Sequence, residues 1–261
     1  MTINTLFAQI QIRRHPVLFS IRFHKSSKWY LLDLKSFIDK LGGGISKFPI
    51  NRYPCLFDKY SGAGSFHSVY FIQDLYVAQK VYNNNPIKHV DVGSRIDGFV
   101  AHLATFREVE LLDIRDLDSD IQNVFFKQVD LMDERNIPVE YCDSISSLHA
   151  LEHFGLGRYG DKIDPEGHLK GFRNITRMLK PYGTFYFSVP MGFQRIEFNA
   201  HRVFCLRYLS DMVSADYDIV SFSYIDDYCC LHQDVYMTDE GIRTSYNCNC
   251  GCAIFELRRK Y

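Results

Sequence analysis

Four short blocks in this 261-residue chain have residue types and spacings that suit the binding of a nucleoside. They are Asp91-Val92-Gly93-Ser94, Leu112-Asp113-Ile114, Asp130-Leu131 and His149-Ala150-Leu151-Glu152-His153. Each closes a short run that reads as a strand. A glycine after a strand lets backbone approach a ligand closely. An acid ending the next strand can accept hydrogen bonds from both hydroxyls of a ribose. About twenty residues separate Gly93 from Asp113, the interval expected for such an acid in a nucleotide-binding unit. The ligand is not expected to be a dinucleotide. Gly93-Ser94-Arg95-Ile96-Asp97-Gly98 puts arginine where G-x-G-x-x-G needs its second glycine, and Arg95 and Asp97 would crowd a pyrophosphate. There is no G-x-x-x-x-G-K-S/T run, which removes P-loop phosphoryl transfer.

The elements that must hold these blocks follow from the pattern along the chain. Trp29 to Leu41 reads as an amphipathic helix stopped by Gly42-Gly43-Gly44. After the turn Ser61-Gly62-Ala63-Gly64, Phe66 to Tyr82 reads as a helix ended by Asn83-Asn84-Asn85-Pro86. From Lys88 strands and helices alternate. Strands are expected at His89–Gly93, Glu108–Ile114, Val124–Asp130, Asp143–Leu148, Thr184–Val189, Asp218–Tyr224 and Cys252–Arg258. Helices are expected at Gly98–Thr105, Glu166–Leu179 and Leu206–Val213. Such alternation predicts an α/β fold with a mostly parallel sheet and right-handed crossovers. About twenty-seven residues of loop separate the last two strands, a length associated with function or disorder.

Composition narrows the class. The chain is 46% apolar and 23% charged, which is globular. No run approaches the ~18 apolar residues of a membrane span. Arg13, Arg14 and His15 interrupt the first apolar stretch, so a secretory signal is not expected and a cytoplasmic setting is. The eight cysteines are then read as reduced thiols. Alternation would place Cys248, Cys250 and Cys252 on one strand face, spaced for packing and not for a tetrahedral ion, and no metal is expected. Residues 1–88 carry twelve Lys and Arg against four Asp and Glu, and the remainder eighteen against twenty-seven. Either the basic segment packs on an acidic body, or it helps hold an anionic substrate such as a sugar diphosphate.

With Leu179-Lys180-Pro181-x-Gly183 ahead of a strand, the four blocks resemble those of the class I S-adenosylmethionine-dependent methyltransferases. Ser94 to Val100, Ser147 to Asp161 and Phe198 to Phe204 more closely resemble a bacterial subgroup associated with surface-polysaccharide (capsule) synthesis. The resemblance covers about residues 66–230. It implies a Rossmann-like domain over 66–261, with a seven-stranded, mostly parallel sheet whose last strand is antiparallel. An N-terminal basic cap over 1–65 would precede it. It also implies S-adenosylmethionine as cofactor. Gly93 and Ser94, behind Asp91, would meet its methionyl part. Asp113 and Ile114 would hold the ribose, Asp130 and Leu131 the adenine, and His149 and Ala150 would lie near the sulfonium and carboxylate. The common G-x-G-x-G is reduced here to Gly93, Arg95 and Asp97. Arg95 could pair with the cofactor carboxylate, or Asp97 with its ammonium.

Methyl transfer to a hydroxyl needs alignment of the acceptor and removal of its proton, for which histidine is suited. His201, in Asn199-Ala200-His201-Arg202, is a candidate base, the alternative being a histidine that organises its loop. His153 is a second candidate, or a bond holding the cofactor loop. Glu152 is an ion-pair partner or a site residue, and His168 a cap or surface residue. Arg158 and Tyr159, in the glycine-rich run Gly155–Gly160, are substrate candidates together with Asn199 and Arg202, the arginines suited to phosphate or to structural salt bridges.

The expected reaction is O-methylation of a sugar hydroxyl in a nucleotide-sugar or another surface-carbohydrate precursor. The alternatives are another small metabolite, including a phosphate or phosphoramidate oxygen, or a non-catalytic scaffold of the same fold. Nucleic acid is disfavoured by the net charge of −1 and by the lack of an Asn/Asp-Pro-Pro-Tyr/Phe block after strand four. A homodimer stays open, with no seam in the sequence to carry it.

Overall fold

The computed structural model describes residues 16–41, 48–59, 61–62, 68–118 and 120–261, with the side chains of 16–22, 26 and 136 left aside. The glycines Gly42–Gly44, the turn residues Ala63 and Gly64, and Phe66 and His67 lie outside the described residues. The chain divides into two compact units, 1–65 and 66–261. In the first, helix α1 (Pro16–Lys40) begins well before the expected Trp29. Lys59 reaches across it, 2.5 Å from Asp33 and 4.8 Å from the centre of the Trp29 ring.

The second unit is built on one eight-stranded sheet. Its strands are β1 (His89–Val92), β2 (Val109–Asp113), β3 (Val124–Gln128), β4 (Cys142–Leu148), β5 (Leu179–Met191), β8 (Tyr217–Ile225), β9 (Leu231–His232) and β10 (Gly251–Arg259). The order is β3-β2-β1-β4-β5-β10-β8-β9. The first five strands run parallel, and β10 lies antiparallel between β5 and β8. This is the Rossmann-like sheet expected, with the short β9 added at its edge.

Helices cover both faces, as a parallel sheet requires. On one face α2 (Val69–Asn84) and α3 (Ala101–Ala104) bury Val77, Val81 and Leu103 against Val109, Leu111 and Tyr186. On the other, α4 (Gly167–Met178) and α5 (Leu206–Ser214) bury Phe172, Ile175, Leu206 and Leu209 against Ile145, Phe185 and Phe187. β1 lies between β2 and β4 and is buried at all four residues.

Three local expectations are corrected. Ile96–Val100 forms a π-helical turn running into α3, in place of a plain helix from Gly98. The segment after β5 folds back as a hairpin, β6 (Arg195–Glu197) and β7 (His201–Val203), for which too few apolar residues alternate to give a strand signal. The last inter-strand segment holds β9 and a short helix, α6 (Asp239–Thr244), so it is not one long loop. The cysteine reading changes too: Cys248 and Cys252 are buried, but Cys250 is exposed and only Cys252 lies within β10.

Candidate functional site: a cavity at the strand ends

Beyond the carboxyl ends of β1, β2 and β4 lies a cavity of about 590 Å³. Parallel sheets place ligands at such ends, where crossovers to opposite faces leave a crevice. Its wall includes Gly93, Ser94, Arg95 and Asp97 from the loop after β1, Asp113 and Ile114 after β2, Asp130 and Leu131 after β3, and His149, Ala150 and His153 after β4. Ten of the eleven residues expected to hold cofactor thus line one space. The eleventh, Asp91, lies under the loop. Its carboxylate accepts from Ser94 N (3.0 Å), Ser94 Oγ (2.7 Å) and Ser146 Oγ (2.5 Å). Full burial pushes its pKa up to about 6, against the hydrogen bonds from Ser146 and Ser94.

The loop is shaped for close approach. Gly93 has φ +67°, and a Cβ there would lie 3.0 Å from the Cβ of Ala150. Arg95 and Asp97 do not present free charges to the cavity. They pair with each other through Nε–Oδ1 (3.1 Å) and Nη2–Oδ2 (2.9 Å). Asp113 is also paired: Arg115 donates to it from backbone N (2.8 Å), Nε (3.0 Å) and Nη2 (2.6 Å). Each carboxylate oxygen has two lone pairs, so acceptor capacity remains. Asp130 accepts from Met132 N at 2.8 Å.

The block after β4 forms a buried charged cluster. His149 has φ +54°, and its Nδ1 lies 3.1 Å from Glu152 Oε1. Burial opposes charge on both, yet the Cys252 and Glu152 neighbours hold the imidazole pKa well above its ordinary value. Glu152 is likewise held low, burial again opposing and His149 prevailing. Among the described residues Ser147 Oγ, His149 Nε2 and Glu152 Oε2 are buried and find no hydrogen-bond partner. Unsatisfied groups of this kind are costly unless a ligand or water completes them.

His153 differs from its neighbour. Its Nδ1 lies 2.7 Å from the carbonyl of Ala200, so Nδ1 carries the proton and Nε2 has a free lone pair. Nε2 is 3.6 Å from Glu152 Oε1. Burial lowers the His153 pKa, with Glu152 and the Ala200 bond opposing. Burial thus favours the neutral form of this histidine beside the cavity.

The other site expectations divide. Arg158 and Tyr159 line the cavity. His201 does not; β7 places it beyond the turn, opposite Glu197 in the backbone register of the hairpin. Asn199 is exposed on the same turn and is likewise outside the cavity wall. Arg202 does not line the cavity. It is buried and donates to the carbonyls of Glu152 (3.3 Å), Phe154 (2.6 Å) and Pro165 (3.1 Å). It thereby ties β7 to the turn carrying His153. His168, within α4, is half-buried, bonds Tyr208 OH at 2.7 Å and is not the helix cap. Among the described residues no set of three or more His, Cys, Asp or Glu could hold a metal ion.

Sequence reasoning missed Tyr70, Arg115 and the Ala200 carbonyl. Tyr70 lines the cavity from the first turn of α2, with its ring centre 5.1 Å from that of His149. Arg115 stands two residues after the ribose acid, a spacing that could have marked it. A backbone carbonyl has no sequence signal.

The fold is that of the class I S-adenosylmethionine-dependent methyltransferases. The 1,6-didemethyltoxoflavin-N1-methyltransferase of Burkholderia thailandensis, with bound 1,6-didemethyltoxoflavin and S-adenosylhomocysteine, is similar in structure. It is 12% identical, with a TM-score of 0.52 over 73% of this chain and 80% of that one. The cyclase SpnF is similar at a TM-score of 0.52 and 15% identity, over 72% of this chain and 80% of its own. At these identities the likeness is one of fold. The family model described as "Caenorhabditis protein of unknown function, DUF268" matches residues 96–236, more than half of the chain, and the chain belongs to that family. No curated protein matches it.

Proposed function

We propose that residues 66–261 are a methyltransferase domain that binds S-adenosylmethionine in the cavity at the strand ends. Residues 1–65 are read as a basic cap. The observation that carries the reading is the convergence of Gly93, Asp113, Asp130 and His149 on one cavity. The residues fit the cofactor. Gly93 leaves room for backbone contact, Asp113 and Asp130 offer acceptors for ribose and adenine, and Ile114 and Leu131 offer apolar surface. The unpartnered His149 Nε2 and Glu152 Oε2 are polar atoms that a polar ligand could complete. When bound, S-adenosylmethionine supplies an electrophilic methyl group on its sulfonium.

We assign His153 as the base and the acceptor atom as an oxygen. The neutral ring with its free Nε2 can take a hydroxyl proton, and Glu152, 3.6 Å away, can stabilise the resulting imidazolium. The other candidate base, His201, stands outside the cavity wall. For the acceptor we keep a sugar hydroxyl of a nucleotide-sugar or another surface-carbohydrate precursor, which rests on the resemblance of Ser94–Val100, Ser147–Asp161 and Phe198–Phe204. Nothing in this mechanism calls for a partner protein or a membrane, and among the described residues no helix is long and apolar enough to cross one. The test is transfer of labelled methyl from S-adenosylmethionine to a panel of nucleotide-sugars. Turnover that His153→Ala reduces about 10²–10⁴-fold supports the assignment, the range typical of a lost general base. Turnover unaffected by that change removes His153 from the role.

A further inference from the structure

Three arginines line the cavity, and two are already paired with carboxylates. Arg95 is held by Asp97 and Arg115 by Asp113. Arg158 differs. Among the described residues no carboxylate lies within ion-pair distance of it. Its Nη1 donates to the carbonyl of Ala200 at 2.9 Å, and its guanidinium carbon lies 5.1 Å from the centre of the Tyr159 ring.

The Ala200 carbonyl that receives Arg158 also receives His153 Nδ1, and the two donor nitrogens are 3.5 Å apart. One backbone oxygen thus fixes both the base and the unpaired cation. The loop carrying Arg158 is set in advance of any ligand. Asp161 accepts from Gly155 N (2.7 Å), Gly157 N (3.1 Å) and Tyr159 N (3.2 Å). A guanidinium has five N–H donors in a planar fork, and one of them meets Ala200. The rest of the fork matches a phosphate or carboxylate edge.

We propose that Arg158 binds an oxyanion of the methyl acceptor, a phosphate or a carboxylate, close to the oxygen that is methylated. The inference rests on the methyl-transfer reading and narrows its acceptor: a neutral sugar polymer is disfavoured and a small phosphorylated or acidic sugar is favoured. An oxyanion there also offsets the guanidinium charge that opposes protonation of His153, so acceptor binding makes the base more basic.

The test is calorimetric titration of the full chain with inorganic phosphate and, separately, acetate, with and without S-adenosylhomocysteine. Wild type is compared with Arg158→Gln and Arg158→Lys. The expected result is saturable oxyanion binding, weakened at least tenfold in the glutamine variant and partly kept by lysine. Affinity for S-adenosylhomocysteine should stay unchanged in both. Preference for phosphate over acetate identifies a phosphate acceptor, and the reverse a carboxylate. In turnover, Arg158→Gln should raise KM for a sugar phosphate far more than it lowers kcat. No saturable oxyanion binding by wild type, or equal binding by the glutamine variant, would overturn the proposal. Loss of S-adenosylhomocysteine binding by wild type would overturn the methyl-transfer reading instead, and the titrations without it would still test Arg158.

Discussion

His153 Nδ1 and the carbonyl oxygen of Ala200 are joined by a 2.7 Å hydrogen bond that links the turn after β4 to the β6–β7 hairpin. The bond decides the chemistry of the ring. With its proton committed to Ala200, the imidazole keeps a lone pair on Nε2, the nitrogen nearer Glu152. Two elements far apart in sequence therefore make one basic group.

Burial lowers the His153 pKa from its ordinary 6.5, while the Glu152 carboxylate opposes that fall. A base acts when unprotonated, so kcat/KM, which reports the free enzyme, should rise with pH and level off, with the midpoint of its acid limb below 6.5. Glu152→Gln removes the opposing charge, and the midpoint should move to still lower pH. A pH–rate profile of both proteins checks this. A midpoint that rises in the variant would contradict the assigned geometry.

Arg202 should matter to stability and little to ligand contact. Truncation to alanine leaves the carbonyls of Glu152, Phe154 and Pro165 without their donor. Of the three, Glu152 is buried and the other two bonds are part-buried, and a buried group stranded in this way costs about 1–3 kcal/mol. We expect Arg202→Ala to lose about 1–3 kcal/mol in denaturant unfolding, the cost of stranding the buried Glu152 carbonyl. A loss near zero would mean that the hairpin is held by other contacts.

A buried relay beneath the cavity gives the fold a pH signature. His89 lies between Ser144 Oγ (2.8 Å) and Ser146 Oγ (3.0 Å), and Ser146 donates in turn to Asp91. Burial, aided by the Arg107 charge, lowers the His89 pKa to about 3. The unfolded chain takes up this proton near pH 6.5 and the folded chain does not. Stability contributed by His89 is thus present above 6.5 and declines as pH falls toward 3, at about 1.4 kcal/mol per pH unit. Asp91 has the opposite sign, because its folded pKa, about 6, lies above its unfolded value of 3.8. It adds stability as pH falls between those values. Urea unfolding at several pH values should show a shallower acid decline in His89→Phe and a steeper one in Asp91→Asn. Parallel declines in all three proteins would contradict the relay.

Part of the sheet was legible because parallel strands buried on both faces read as short apolar runs, and Leu111–Leu112 of β2 and Phe185–Val189 of β5 come nearest to that, whereas β4 is rich in serine. The cavity-facing residues were legible for a related reason: a parallel strand ends where its ligand-facing residue begins, so Gly93, Asp113 and His149 fell at the right points. What escaped depends on contacts across the fold. Nothing in the residue types around Ala200 marks its carbonyl as the acceptor for both His153 and Arg158. The sequence leaves Arg202 open between phosphate and a structural bond, because an arginine held by backbone carbonyls has the same sequence appearance as one facing phosphate. The mutual pairing of Arg95 and Asp97, two residues apart, lies outside the sequence expectation that Arg95 meets the cofactor carboxylate or Asp97 its ammonium.

The central claim is that the strand-end cavity holds S-adenosylmethionine with Asp113 on its ribose. Calorimetric titration of wild type and Asp113→Ala with S-adenosylhomocysteine tests it most directly. The account predicts one saturable site in wild type and affinity at least tenfold weaker in the variant, equivalent to about 1.4 kcal/mol or more. No binding by folded wild-type protein, or equal binding by the variant, would contradict it.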